Sequence, residues 1–163
     1  MTTGPIDDGG TPEPVLPTPE ALIPEPGTGQ VRTIRVPAHP ASVGIVRKAV
    51  VLDLEARGMP EGTVDEAEIV ASELTTNALC HAHPLADGTI RVRWKVRLDV
   101  VEIEVTDGGG ESVPRPAPRS PLAHSGRGLR IVRALAHEWG VTQDRTGRTV
   151  WAALGGPSRR RAT

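Results

Sequence analysis

Between residues 89 and 98 the chain alternates strictly. In "TIRVRWKVRL", Val92, Trp94, Val96 and Leu98 share one parity and Arg91, Arg93, Lys95 and Arg97 the other. That two-residue repeat predicts a strand with one buried face. "VVEIEV" repeats it, with Val101, Ile103 and Val105 inward, Glu102 and Glu104 outward, and Asp99 at the junction. A basic outer row beside an acidic one predicts an antiparallel hairpin with opposite charges across it. The basic stripe is thus half of a cross-strand pairing rather than an RNA surface.

Elsewhere the period lengthens. Val43, Val46, Val50 and Leu54 in "ASVGIVRKAVVLDLEARG" follow helical spacing, and Gly58 is placed to stop that helix. After the turn "MPEG", Thr63 with Glu66 fits a capping box opening a second helix. It runs to about Ala82, closed by Pro84, with Ile69, Val70, Leu74 and Ala78 toward the sheet. "LRIVRALAHEWG" predicts a third helix, with Leu129, Val132, Leu135, Ala136 and Trp139 on its apolar side. Val31, Ile34 and Val36 predict a first strand ended by Pro37, and "GRTVWAAL" a last strand after a Gly turn. Trp94, Trp139 and Trp151 are all expected in the core. The order is strand, helix, helix, hairpin, loop, helix, strand. It predicts an α+β two-layer sandwich, a mixed and mostly antiparallel sheet with helices on one face.

Composition narrows the setting. The 163 residues suffice for one domain with a real core. A formal net charge of −1 provides no global field toward DNA or anionic lipid. The single cysteine, Cys80, cannot form an internal disulfide and reads as a small core residue on a helix, in a reducing compartment. No apolar run approaches membrane-spanning length, and the acidic, Pro-rich start is not a signal peptide. Residues 1–30 read as a disordered Pro-rich tail, 31–154 as the folded domain and 155–163 as a basic tail. The expected location is the cytoplasm.

Several polar groups stand out, each with an ordinary explanation beside it. Glu73, Asn77 and His81 recur every four residues along one edge of the second helix. That edge either is solvated or faces a cavity between helix and sheet. Asp107 ends a strand and is followed by Gly108, Gly109 and Gly110; it either makes a plain Asp-Gly turn or accepts a hydrogen bond from an exocyclic amine. Gly126 and Gly128 flank Arg127 before a helix, a weak signal for an anion site at a helix N-terminus. Gly147 and Thr149 open the last strand. No P-loop Lys follows the glycines, no strand precedes them as in a Rossmann fingerprint, and no His-Glu-x-x-His zinc motif occurs.

Together and in order, helical Glu-x-x-x-Asn, strand-Asp-x-Gly, Gly-x-Gly-Leu before a helix and Gly-x-Thr on a strand resemble the GHKL ATPase superfamily. "SELTTNALCHA", "GRGLRIVRALAHEWGV" and "GRTVWAAL" are most similar to its stand-alone branch, the anti-sigma-factor serine/threonine kinases. The resemblance covers about residues 31–154 and implies a Bergerat-type ATP-binding fold using ATP and Mg²⁺.

It implies that Asn77 holds Mg²⁺ and that Glu73 is the general base. His81 would lie near the phosphates. Asp107 would take the adenine amine, with Gly109 giving room for the base. Gly126, Arg127 and Gly128 would meet the phosphates, with Leu129 completing that box. Thr149 would support the adenine side, and residues 111–125 would form the ATP lid. Position 111 is Glu where the wider superfamily has Gly, and the lid carries Pro114, Pro116, Pro118 and Pro121.

The implied partners are a sigma factor and its antagonist protein, with no direct nucleic-acid or membrane contact. Relatives often dimerise through the sheet or first helix, so a homodimer is a further expectation. The alternative is a non-catalytic module of the same fold, acting only through protein contacts with or without ATP. A metabolic ATPase is a third class, for which no small-substrate pocket is marked.

Overall fold

The computed structural model describes residues 13–22, 31–110 and 127–156. Its elements are β1 (Val31–Pro37), α1 (Ser42–Ala56), α2 (Glu61–His81), β2 (Thr89–Arg97), β3 (Val100–Asp107), α3 (Arg127–Leu135), β4 (Glu138–Gln143) and β5 (Arg148–Gly155). The strands form one sheet in the order β1-β2-β3-β5-β4. Every pairing is antiparallel, so the sheet expected to be mixed has no parallel pair among the described residues. Helices cover one face, giving the expected two-layer α+β architecture.

The hairpin register sets Arg93 opposite Glu104 and Lys95 opposite Glu102. Arg93 Nη1 lies 3.2 Å from Glu104 Oε2, so the charge pattern read from the sequence pairs the strands. Ile90, Val92, Trp94, Val101, Ile103, Val105, Val150, Ala152 and Leu154 are buried on the inner face. Leu98 breaks the expected alternation. It sits in the hairpin turn at φ 52° and is 95 % exposed, because the strand ends at Arg97.

In β1 the parity of burial is Arg32, Ile34 and Val36, so Val31 faces outward and a charge faces the core. Asp53 on α1 accounts for it. Its Oδ1 accepts from Arg32 Nε at 3.1 Å, and its Oδ2 from Arg57 Nε at 2.8 Å and Trp94 Nε1 at 2.7 Å. A buried charge persists when it is paired and hydrogen-bonded.

Helix α1 ends as its glycine predicts. Gly58 adopts φ 69°, its N–H reaches Glu55 O, and Met59 N–H reaches Leu54 O, a Schellman motif. Helix α2 starts earlier than expected. It begins at Glu61 after Pro60, with no side-chain cap, so Thr63 lies inside the first turn and no capping box forms. Ala67, Val70, Ala71, Leu74 and Ala78 are its buried stripe, and the alanines allow close packing on the sheet. Ile69, expected to face the sheet, is 43 % exposed because it lies one residue off that stripe.

The third helix is shorter than its pattern suggested. It stops at Leu135, and Glu138–Gln143 forms the edge strand β4 against β5. Trp139 still packs on the core, from a strand rather than a helix. Trp151 does not join the core. It faces the side away from the helices, over Gly140, where a Cβ would stand 2.9 Å from its Nε1. Of the tail expected to be disordered, residues 13–22 are described; Glu20–Leu22 makes a 3-10 turn from which Leu22 packs on the core. Of the basic tail, Gly155 ends β5 and Gly156 follows it; residues 1–12, 23–30 and 157–163 lie outside the described residues. Among the described residues no helix is long and apolar enough to cross a membrane.

Candidate functional site

Helix α2 is the central scaffold, touching α1, α3, β3 and β5. Its buried stripe fixes its rotation, and that rotation turns Glu73 toward α3; Glu73 and Asn77 are both half-buried. The Glu73 carboxylate lies against the first turn of α3. A Cβ on Gly128 would stand 2.5 Å from Glu73 Oε2. The carboxylate therefore occupies the space that a glycine leaves open, beside the positive end of the helix dipole. Asn77 Nδ2 is buried and has no hydrogen-bond partner among the described residues. His81, the last residue of α2, is exposed.

At the far end of the same helix, the turn after β3 packs backbone against backbone. Gly108 N–H donates to His83 O at 2.7 Å, and His83 N–H to Gly109 O at 2.9 Å. A Cβ on Gly108 would run into the Pro84 carbonyl, and one on Gly110 would stand 2.8 Å from His81 O. Gly108 and Gly110 are thus required by contact with the end of α2 and the residues that follow it.

Asp107 is 1 % exposed. Its Oδ1 accepts from Gly109 N–H at 2.7 Å, and Arg148 Nη2 lies 3.4 Å from its Oδ2. Burial pushes the carboxyl above its ordinary value of 3.8, against the opposing pull of the Gly109 N–H and the Arg148 charge. Gly147 makes this approach feasible, since a Cβ there would strike the Asp107 carbonyl oxygen.

Thr149 is not with Asp107. It pairs with Thr106 on the outer face, the two hydroxyls 2.8 Å apart, and Arg91 Nη2 reaches Thr106 Oγ1 at 3.4 Å. The residue beside Asp107 is Arg148, which the sequence reading passed over. The signal was present: Val150, Ala152 and Leu154 face inward, so parity puts Arg148 inward and Thr149 outward. Leu129 is a core residue, 2 % exposed. Arg127 opens α3. Gly126 and the lid at 111–125 lie outside the described residues. The structure thus joins Glu73 to Gly128, and separately Asp107 to Gly109 and to Arg148.

The model of the histidine kinase-like ATPase domain matches residues 36–154, from the end of β1 through β5. This chain belongs to the histidine kinase-like ATPase family. Among curated relatives, the serine-protein kinase RsbW of Bacillus pumilus (strain SAFR-032) is 31 % identical over 131 residues, 72 % of this chain and 80 % of that protein. RsbW of Bacillus subtilis (strain 168) is 30 % identical over 129 residues, again 72 % and 80 %. Among solved structures, the RsbU and RsbW domains of Rv1364c from Mycobacterium tuberculosis superpose with a TM-score of 0.59 at 20 % identity. The match covers 79 % of this chain and 34 % of that longer one, a likeness of fold. In this histidine kinase-like ATPase domain, the Glu73–Gly128 contact joins the helical Glu-x-x-x-Asn segment to the Gly-x-Gly segment.

Proposed function

We propose that this protein binds Mg-ATP and transfers its terminal phosphoryl group to a serine or threonine of a partner protein. One observation carries the reading: the Glu73 carboxylate rests against Gly128, bringing a candidate base to the N-terminus of α3. A helix N-terminus favours phosphate, and a carboxylate within reach of the same place can take a proton from an attacking hydroxyl. The oxygen so activated would form a bond to the γ-phosphorus while the bond to the ADP oxygen breaks. The two RsbW relatives, both serine-protein kinases, support the same chemistry.

The donor set suits magnesium. Asn77 offers a carbonyl oxygen, a hard donor, and its buried Nδ2 has no partner among the described residues, as expected of an amide that faces a ligand. When bound, Mg²⁺ neutralises charge on the polyphosphate. Asp107 would accept the base's amine, with Gly109 beside it. His81 is close to the Gly110 backbone through its own carbonyl and would flank the phosphates. Gly126 and Arg127 would complete the phosphate cradle, residues 111–125 would close over it, and Thr149 would act only from behind the sheet.

By analogy with the relatives, the partners would be a sigma factor and an antagonist protein that competes for this chain in the cytoplasm. Nucleotide state would bias which one is held. A second reading rests on the coverage of Asp107 and Arg148, each 1 % exposed. A base site closed this tightly suits a module that acts through protein contacts alone.

Calorimetric titration of ATP, with and without Mg²⁺, separates the two. Micromolar binding that depends on Mg²⁺, followed by phosphate transfer to a protein that Glu73→Gln abolishes, is the expected result. No binding by a folded sample leaves the second reading.

A further inference from the structure

Arg148 is a buried charge that the proposed reaction does not use. It sits at the start of β5, opposite Asp107 at the end of β3, with both side chains turned to the helix-covered face. Its Nη2 is 3.4 Å from Asp107 Oδ2, and its Nη1 is 3.9 Å from the place a Cβ on Gly110 would occupy. The guanidinium therefore lies next to the carboxylate and beneath the turn leading to residue 111. Gly147 precedes it with a backbone that tolerates no Cβ against Asp107. This corner is built so that the two side chains lie together.

The chemistry of the pair is specific. A carboxylate oxygen accepts, and a guanidinium N–H donates. Side by side they present an acceptor and a donor, and the edge of adenine presents the complement, an amine that donates next to a ring nitrogen, N1, that accepts. Guanine reverses the pattern, with a carbonyl oxygen where adenine has the amine and an N–H where adenine has N1. Set against the same pair in the same pose, guanine meets acceptor with acceptor and donor with donor. Sites that hydrogen-bond a ligand group reject the analogue that leaves those buried groups unpaired.

We infer that Arg148 is a base-reading residue, donating to N1 of adenine while Asp107 accepts from the neighbouring amine. The inference rests on the nucleotide-binding reading of Asp107 and adds to it a second contact on the same edge. It assigns Arg148 a ligand role at the position where the sequence pattern had suggested Thr149, whose hydroxyl is on the opposite face with Thr106. Because both side chains are covered, the Gly108–Gly110 turn has to lift as the base enters.

The test compares ATP with 1-deaza-ATP, which carries C–H in place of N1 and keeps the amine, by calorimetry on the full chain with Mg²⁺. Wild-type protein is expected to prefer ATP by roughly tenfold, the effect of leaving one buried donor unpaired. Arg148→Met, checked for folding by circular dichroism, is expected to bring the two ligands within about twofold, and Arg148→Lys to restore part of the preference. Equal affinities in wild-type protein overturn the inference without touching the nucleotide site, and need no variant to fold. A preference that survives intact in a folded Arg148→Met protein overturns it too. If wild-type protein binds neither ligand, the nucleotide-binding reading fails and the inference with it.

Discussion

Glu73 and Gly128 fill one space between them: the carboxylate of the first stands where the side chain of the second would be, 2.5 Å from an added Cβ. Gly128→Ala therefore separates folding from chemistry. Alanine is the better helix former by about 1 kcal/mol, and the atom it displaces is the tip of a flexible side chain. Stability by urea denaturation is expected to stay within about 1 kcal/mol of wild type. Phosphate transfer is expected to fall at least roughly tenfold as Glu73 swings away from its seat. Unchanged transfer rates would mean that Glu73 need not sit on α3 to act.

Asn77→Ala removes the candidate metal ligand from a helix face that is only half-buried. The helical signal in circular dichroism is expected to persist, while ATP binding loses its Mg²⁺ dependence. Titrations at several Mg²⁺ concentrations check this, and a retained dependence would move the metal to other residues.

Asp53 is the structural counterpart to these site residues. It holds Arg32, Arg57 and Trp94 at once and is 2 % exposed. Asp53→Ala leaves the buried Arg32 without this carboxylate, which costs about 3–5 kcal/mol. The expected readout is a lower urea midpoint with altered Trp94 fluorescence. A loss under about 1 kcal/mol would mean that water replaces the carboxylate there.

Asp107 makes stability depend on pH in a definite direction. Its folded carboxyl titrates above 3.8, so its contribution is complete below that ordinary value and is lost as pH rises through the folded value. Asp107→Asn does not titrate. Urea midpoints from about pH 4 to 7 are expected to show the stability of wild type relative to Asp107→Asn declining as pH rises. A relative stability that grows with pH would show the Arg148 charge outweighing burial.

Where one parity or one helical stripe decided an element, the sequence was readable. The β2–β3 hairpin, with Arg93 facing Glu104, followed from alternation alone, and Gly58 marked the end of α1. β4 was not readable. Its apolar residues Trp139 and Val141 continue the α3 pattern, and only pairing with β5, a tertiary contact, turns them into a strand. The site divided the same way. Spacing put Glu73 and Asn77 on one helix edge, but the meeting of Glu73 with Gly128 joins segments more than fifty residues apart. Arg148 was concealed by motif reading, which favoured the neighbouring threonine over the plain inward parity of β5.

The placement of Trp151 has an optical consequence. The chain has three tryptophans and no tyrosine, so its ultraviolet emission comes from indole alone. Trp94 is sealed in the core against Asp53, whereas Trp151 lies over Gly140 on the face that the helices leave bare. A protein laid across that face would shift the colour of Trp151 and leave Trp94 unchanged. The molecule therefore carries its own lamp with no dye attached: Trp94 and Trp139, packed with the core, report integrity, and Trp151 reports contact.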